Sequence, residues 1–96
     1  MPAFAAGGAP AGAQAAPAAE VALKGLKFEP PEVTVEAGGL VRWVWQEEVD
    51  HNVTGDGFAS STQNTGTFEY TFAQSGSYPY MCTIHGSNMA GTVTVN

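Results

Sequence analysis

Apolar and polar residues alternate along most of this chain with a period of two. Val33 and Val35 alternate with Glu32, Thr34 and Glu36, and Val41, Trp43 and Trp45 with Arg42, Val44 and Gln46. Phe68, Tyr70 and Phe72 alternate with Thr67, Glu69 and Thr71, and Tyr78, Tyr80 and Cys82 stand opposite Ser77, Pro79 and Met81. Val93 and Val95 close the series between Thr92 and Thr94. Such alternation predicts half-buried strands, each with one face to a core and one to water. Gly38-Gly39, Gly55-Asp56-Gly57, Ser75-Gly76 and Gly86-Ser87-Asn88 break the pattern as turns. No segment carries a helical period. The expectation is an all-β, antiparallel sandwich of about seven or eight short strands.

The pattern starts at Glu20. Residues 1–19 are almost entirely Ala, Gly and Pro, and such a stretch buries too little apolar surface to offset its ordering entropy. It reads as a disordered tether or a remnant of expression, ahead of one domain over residues 20–96. No apolar run approaches the ~18 residues of a membrane helix. Met1-Pro2-Ala3-Phe4-Ala5 lacks the basic start and long apolar stretch of a signal peptide.

Nine Asp and Glu against three Lys and Arg give a formal net charge of −6. That argues against nucleic acid as a partner, because phosphates require a basic surface. It is compatible with a partner that offers a basic docking surface. Cys82 is the single cysteine, so no disulfide forms within the chain. Its thiol is a buried hydrophobe, a reactive group or a metal ligand.

The chain has two histidines, both beside turn residues. His51 follows Glu47-Glu48-Val49-Asp50, and His85 lies three residues after Cys82 within Met81-Cys82-Thr83-Ile84-His85-Gly86-Ser87-Asn88-Met89. Structural zinc normally takes four strong donors, and only three are present. One thiolate, two imidazoles and a weak thioether are the donor set of a copper ion that alternates between Cu(II) and Cu(I). The spacing Cys82-x2-His85-x3-Met89 puts three donors on one tight loop, with His51 arriving from a neighbouring one. Met81 is the competing thioether, but in a strand it faces away from Cys82. Trp43 and Trp45 read as core, and Glu47, Glu48 and Asp50 as a solvated acidic loop.

From Val21 to Asn96 the sequence resembles the cupredoxins, particularly the plastocyanin and amicyanin branch. The likeness rests on Phe28-x-Pro-x-Glu-Val-Thr-Val-x-Ala-Gly at 28–38, Val41-Arg42-Trp43 and Asp50-His51-Asn52-Val53. It extends through Phe68-x-x-Thr-Phe-x-x-Ser-Gly-x-Tyr-x-Tyr-x-Cys at 68–82 and Ala90-Gly91-Thr92-Val93-Thr94-Val95. It implies a Greek-key β-sandwich that binds one type 1 (blue) copper ion and shuttles single electrons between redox proteins. His51, Cys82 and His85 are then the equatorial ligands and Met89 the axial one. Asn52 is implied to tie the ligand loops together, its side chain meeting Thr83 and its backbone N–H bonding the cysteine sulfur.

The resemblance also implies a monomer outside the cytoplasm, periplasmic or held to a membrane through the N-terminal segment. Docking is implied near an exposed His85, through an apolar patch for which Gly38, Gly39 and Leu40 are the expected members. Three features depart from the family. Three residues separate His85 from Met89, where the familiar branches have two or four. Met81 replaces an aromatic residue before the cysteine. Ile84 stands where Pro is usual; its N–H is expected to bond the Cys82 sulfur and raise the reduction potential, so that Ile84→Pro lowers it.

Rival functions fare less well on sequence. A copper oxidase or nitrite reductase needs further histidines, and both present are already used, so an enzyme is not expected. Copper-delivery proteins rely on Met-rich or Cys-x-x-Cys clusters, which the chain lacks. A metal-free adhesion module gives no role to the His51, Cys82, His85 constellation.

Overall fold

A computed structural model describes residues 16–96. Nine strands form: β1 (Ala19–Lys24), β2 (Lys27–Glu29), β3 (Glu32–Val35), β4 (Gly39–Trp45), β5 (Thr54–Gly55), β6 (Phe58–Ala59), β7 (Thr67–Phe72), β8 (Gly76–Cys82) and β9 (Gly86–Val95). They build a four-stranded sheet in the order β2-β1-β4-β7 and a five-stranded sheet in the order β3-β9-β8-β5-β6. Among the described residues there is no helix. The β-sandwich class and the long strands follow the alternation. β5 and β6 raise the count to nine because two residues are too few to display a period.

Two pairings differ from the all-antiparallel expectation. β1 runs parallel to β4, with Val21 opposite Trp43, and β3 runs parallel to β9, with Val33 opposite Val93. A period of two fixes which face of a strand is buried and carries no information on its direction.

The paired backbone also begins inside the Ala-rich stretch. The Ala18 N–H donates to Leu40 O at 2.7 Å, and β1 starts at Ala19. The rest of the expected tether, residues 1–15, lies outside the described residues.

The core forms between the sheets from the inward positions the alternation marks. Val21, Leu23, Val41, Trp43, Phe72 and Val93 are essentially inaccessible. The Trp43 ring is the hub, with Phe68, Tyr80 and Phe58 ring centroids at 5.5, 5.3 and 6.0 Å. Phe58 enters the core through a short hairpin, where Gly55 opposes it. A Cβ on Gly55 would stand 2.4 Å from the Phe58 ring, so only glycine admits this packing.

Tyr80 is buried with its hydroxyl unpaired, and burial pushes its phenol up to about 12. A phenol that holds its proton more tightly when folded favours the folded state while it is neutral. That advantage is lost as pH rises from the unfolded value of about 10 toward 12. Tyr80→Phe removes both the unpaired hydroxyl and this titration. Its stability at pH 7 is expected to lie within about 1 kcal/mol of the parent or above it, with a shallower alkaline decline. Thermal unfolding between pH 7 and 11 checks both; an unchanged alkaline slope counts against the assignment.

Candidate metal centre

The three strongest donor residues meet at one end of the sandwich. Cys82 ends β8 on its inward face, while Met81 beside it faces outward and is 39% exposed. Thr83 and Ile84 then turn the chain, and the His85 N–H donates to Cys82 O at 3.2 Å. His51 comes from the segment between β4 and β5. Its backbone N–H donates to Gln63 O and its O accepts from Gln63 N–H, both at 3.0 Å. A reciprocal pair of this kind fixes the histidine backbone before any side-chain contact is made.

The donor atoms converge. Nitrogen and sulfur atoms of His51, Cys82 and His85 lie within 4.8 Å of one another. Cys82 Sγ is 3.4 Å from His85 Nδ1 and 3.9 Å from His51 Nδ1. Thiolate and imidazole donors at ~2.3 and ~2.0 Å from one ion, spread at 120°, stand about 3.7 Å apart. The two separations bracket that value, so the residues fit a trigonal metal site. Met89 is fully buried. The β8–β9 register runs from Met81 opposite Ala90 to Cys82 opposite Gly86, so residues 87–89 form a bulge. Met89 therefore belongs to a bulged strand rather than to a free loop, and the bulge absorbs the unusual spacing.

Which nitrogen of His51 is free follows from its other contact. The His51 Nε2–H donates to Glu47 Oε2 at 2.8 Å, which leaves Nδ1 with its lone pair toward the sulfur. The same carboxylate accepts the N–H groups of Gly25 and Leu26 at 3.0 and 3.1 Å. Its bond from His51 above all, then that from Leu26, holds the Glu47 carboxyl below its ordinary value of 4.5. Glu47 is thus not one more member of a solvated acidic loop. It clamps the β1–β2 turn to His51, while Glu48 and Asp50 remain on the surface. The only sequence signal was an acid four residues before a histidine, which is common without consequence.

Asn52 joins the two ligand segments. Its Nδ2 donates to Thr83 Oγ1 at 2.8 Å and to Thr62 Oγ1 at 3.2 Å. Its Oδ1 accepts from Thr83 N–H at 3.0 Å and Thr54 Oγ1–H at 2.9 Å. The expected contact with Thr83 is present in both directions.

The contacts of Cys82 Sγ with side chains are to the two imidazoles, and Ile84 beside it is 49% exposed. One expectation fails: Gly38, Gly39 and Leu40 lie at the opposite end of the sandwich. The Gly38 N–H bonds Phe72 O, and the neighbouring Ala37 N–H bonds Asn96 O. Val95 and Gly86 are separated by roughly 30 Å of strand β9, and the cluster of His51, Cys82 and His85 is at the Gly86 end.

The exposed large apolar side chains of the described residues are Leu26, Val49, Met81 and Ile84. They sit on the β1–β2 turn, the 46–50 segment, the end of β8 and the ligand turn, all toward the metal end. His85 itself is partly exposed, and His51 and Cys82 are buried.

Comparison with known proteins agrees with this geometry. The sequence profile of copper-binding proteins of the plastocyanin/azurin family matches residues 15–96. Amicyanin-alpha of Methylorubrum extorquens is 36% identical, over 94% of this chain and 83% of that protein. Amicyanin of Paracoccus versutus is also 36% identical, over 73% and 59%. The solved copper(I) form of an amicyanin point mutant superposes with a TM-score of 0.77 at 31% identity, covering 86% of each chain. A trigonal imidazole–thiolate end on a two-sheet β-sandwich, matched along the whole domain, places the chain in the plastocyanin/azurin family of copper-binding proteins.

Proposed function

We propose that His51 Nδ1, His85 Nδ1 and Cys82 Sγ hold the single copper ion of this electron-transfer protein, with Met89 as a weaker fourth donor and His85 as the route for electrons. The observation that carries the assignment is the pair of sulfur–nitrogen separations, 3.4 and 3.9 Å, around one point. Copper bound there supplies a one-electron Cu(II)/Cu(I) couple. The protein contributes a donor set whose positions are held from outside the site. Gln63 and Glu47 fix His51, Asn52 fixes Thr83 next to Cys82, and the bulge directs Met89 inward. Little has to move when the ion changes charge, which favours fast transfer.

An electron carrier is favoured over an enzyme because the chain's two histidines are both used here, leaving none for a second, substrate-binding metal. The amicyanin likeness supports an extracytoplasmic setting, and the reading is that of a monomer meeting its redox partners transiently. Docking falls at the metal end, where Leu26, Val49, Met81 and Ile84 surround the ligand segments with apolar surface. Encounters over so small a patch are weak and brief, as turnover requires.

Electron self-exchange tests the docking end, because two copies must bring their His85 edges together. Ile84→Glu would set carboxylates face to face across that contact. The self-exchange rate at low salt is expected to fall about tenfold, with the visible spectrum unchanged. A variant that exchanges as fast as the parent would sink the assignment of His85 as the route.

A further inference from the structure

The described residues contain three cations, and they are not equivalent. Arg42 lies between two carboxylates, its Nε donating to Glu69 at 2.7 Å and its Nη1 to Glu20 at 3.4 Å. Lys24 and Lys27 have no carboxylate partner among the described residues. Both are exposed, and they stand directly opposite each other across the two-residue turn Gly25-Leu26. Like charges in facing positions of a strand pair destabilise it. Leu26 adds a second unfavourable feature. Its φ is +58°, a left-handed conformation that a branched side chain rarely takes, and its side chain is 47% exposed.

The turn is nevertheless held firmly. Both of its N–H groups go to Glu47, the carboxylate that also accepts from ligand His51. A pair of opposed lysines with an apolar tip between them is thus fixed rigidly at the metal end, although its local chemistry disfavours it. Costs of this kind mark surfaces that are used.

We infer that the β1–β2 turn is the partner-recognition element, in which Lys24 and Lys27 take carboxylates of an acidic redox protein while Leu26 seats against apolar surface beside them. The inference deepens the reading in which electrons leave at the His85 end. It also sets the sign of the partner's surface opposite to that suggested by the net charge of −6. The overall charge is spread over the molecule, whereas the lysines act at the contact. Glu48 and Asp50 lie on the surface of the 46–50 segment, so the metal end is divided between a basic flank and an acidic one. The acidic partner is oriented by the basic flank.

Hexacyanochromate(III), a paramagnetic and redox-inert trianion, tests the surface without electron transfer. It is added to the ¹⁵N-labelled, Cu(I)-loaded protein at about 10 mM ionic strength, where charges act over ~30 Å. The amide signals of residues 24–27 are expected to broaden at least about threefold more than those of residues 48–50. The Lys24→Gln/Lys27→Gln double variant is expected to lose the difference. Even broadening, or broadening that persists in the double variant, overturns the inference.

A kinetic arm uses hexacyanoferrate(III), which takes one electron from the reduced protein, Fe(III) becoming Fe(II) as Cu(I) becomes Cu(II). The double variant should slow this reaction roughly threefold or more and leave oxidation by the cationic tris(phenanthroline)cobalt(III) unslowed. If Ile84→Glu slows self-exchange while the double variant matches the parent, the turn is not the recognition element and the His85 route stands. If the double variant loses the anion but Ile84→Glu exchanges normally, the turn stands and the route falls.

Discussion

Replacing Cys82 by serine is expected to abolish the intense absorption of the Cu(II) protein near ~600 nm and its fast redox activity together. The band arises from charge transfer between the cysteine sulfur and Cu(II), and a neutral hydroxyl offers neither the soft donor nor the transition. Cys82 Sγ stands 3.9 and 3.4 Å from the two imidazole Nδ1 atoms, so its loss leaves two nitrogens and Met89. That remnant should still take up Cu(II), more weakly, and it has lost the thiolate that helps to hold Cu(I). Because Cys82 is inaccessible to solvent, the serine also brings a buried hydroxyl, expected to cost ~1–3 kcal/mol of stability without metal. Absorption and electron paramagnetic resonance spectra of parent and variant, each loaded with one equivalent of Cu(II), read the outcome. A serine variant that kept the band would place the chromophore elsewhere.

Asn52→Ala is expected to lower the stability of the metal-free protein by about 3 kcal/mol. The side chain is 6% exposed and its two polar atoms take part in four hydrogen bonds, to Thr83 twice, Thr62 and Thr54. Each such bond contributes ~1 kcal/mol net, and Thr83 and Thr62 are exposed, so water takes over part of their bonding and the loss falls short of the full sum. For a domain of this size the midpoint of thermal unfolding should drop by roughly 15 °C. Copper should recover part of the loss, since an ion that binds only the folded chain stabilises it by mass action. Thr83→Val, which removes the hydroxyl and keeps the backbone bond, should cost only ~1 kcal/mol. If Asn52→Ala melted within about 3 °C of the parent, the asparagine would not be the tie between the two ligand segments.

Much of the fold and the site is legible in the residues alone. Val41, Trp43 and Trp45 have to share an inward face, and they do. His51, Cys82 and His85 stand out because three strong donors, each beside a turn, rarely gather in so short a chain without a metal to hold. Asn52 and Thr83 are paired through the family likeness, and the pairing is present. What stays hidden does so for physical reasons. Alternation assigns faces and says nothing of ends, so Gly38, Gly39 and Leu40 could be expected at the metal although they lie at the far pole. Strand direction is equally invisible to it, and the parallel pairs β1–β4 and β3–β9 differ from the expectation on that account. Phe58 escapes because its strand has two residues, although Asp56-Gly57 between Gly55 and Phe58 is a usable hairpin signal. Glu47 escapes because a carboxylate in an acidic loop looks the same whether it is solvated or bonded. Its partners, the Gly25 and Leu26 amides, are over twenty residues away in sequence.

The parallel pairing of β3 with β9 also has a consequence in time. Glu32 to Val35 find their neighbours in Thr92 to Val95, so the five-stranded sheet cannot be finished until the last strand has been synthesised. Contacts closed across so long a stretch of chain are made slowly, and such topologies fold over milliseconds to seconds. Met89 lies on that same late strand and His85 immediately precedes it. A nascent chain therefore exposes its one thiol before the pocket that shelters it exists, and capture of the ion belongs to the closing steps of folding.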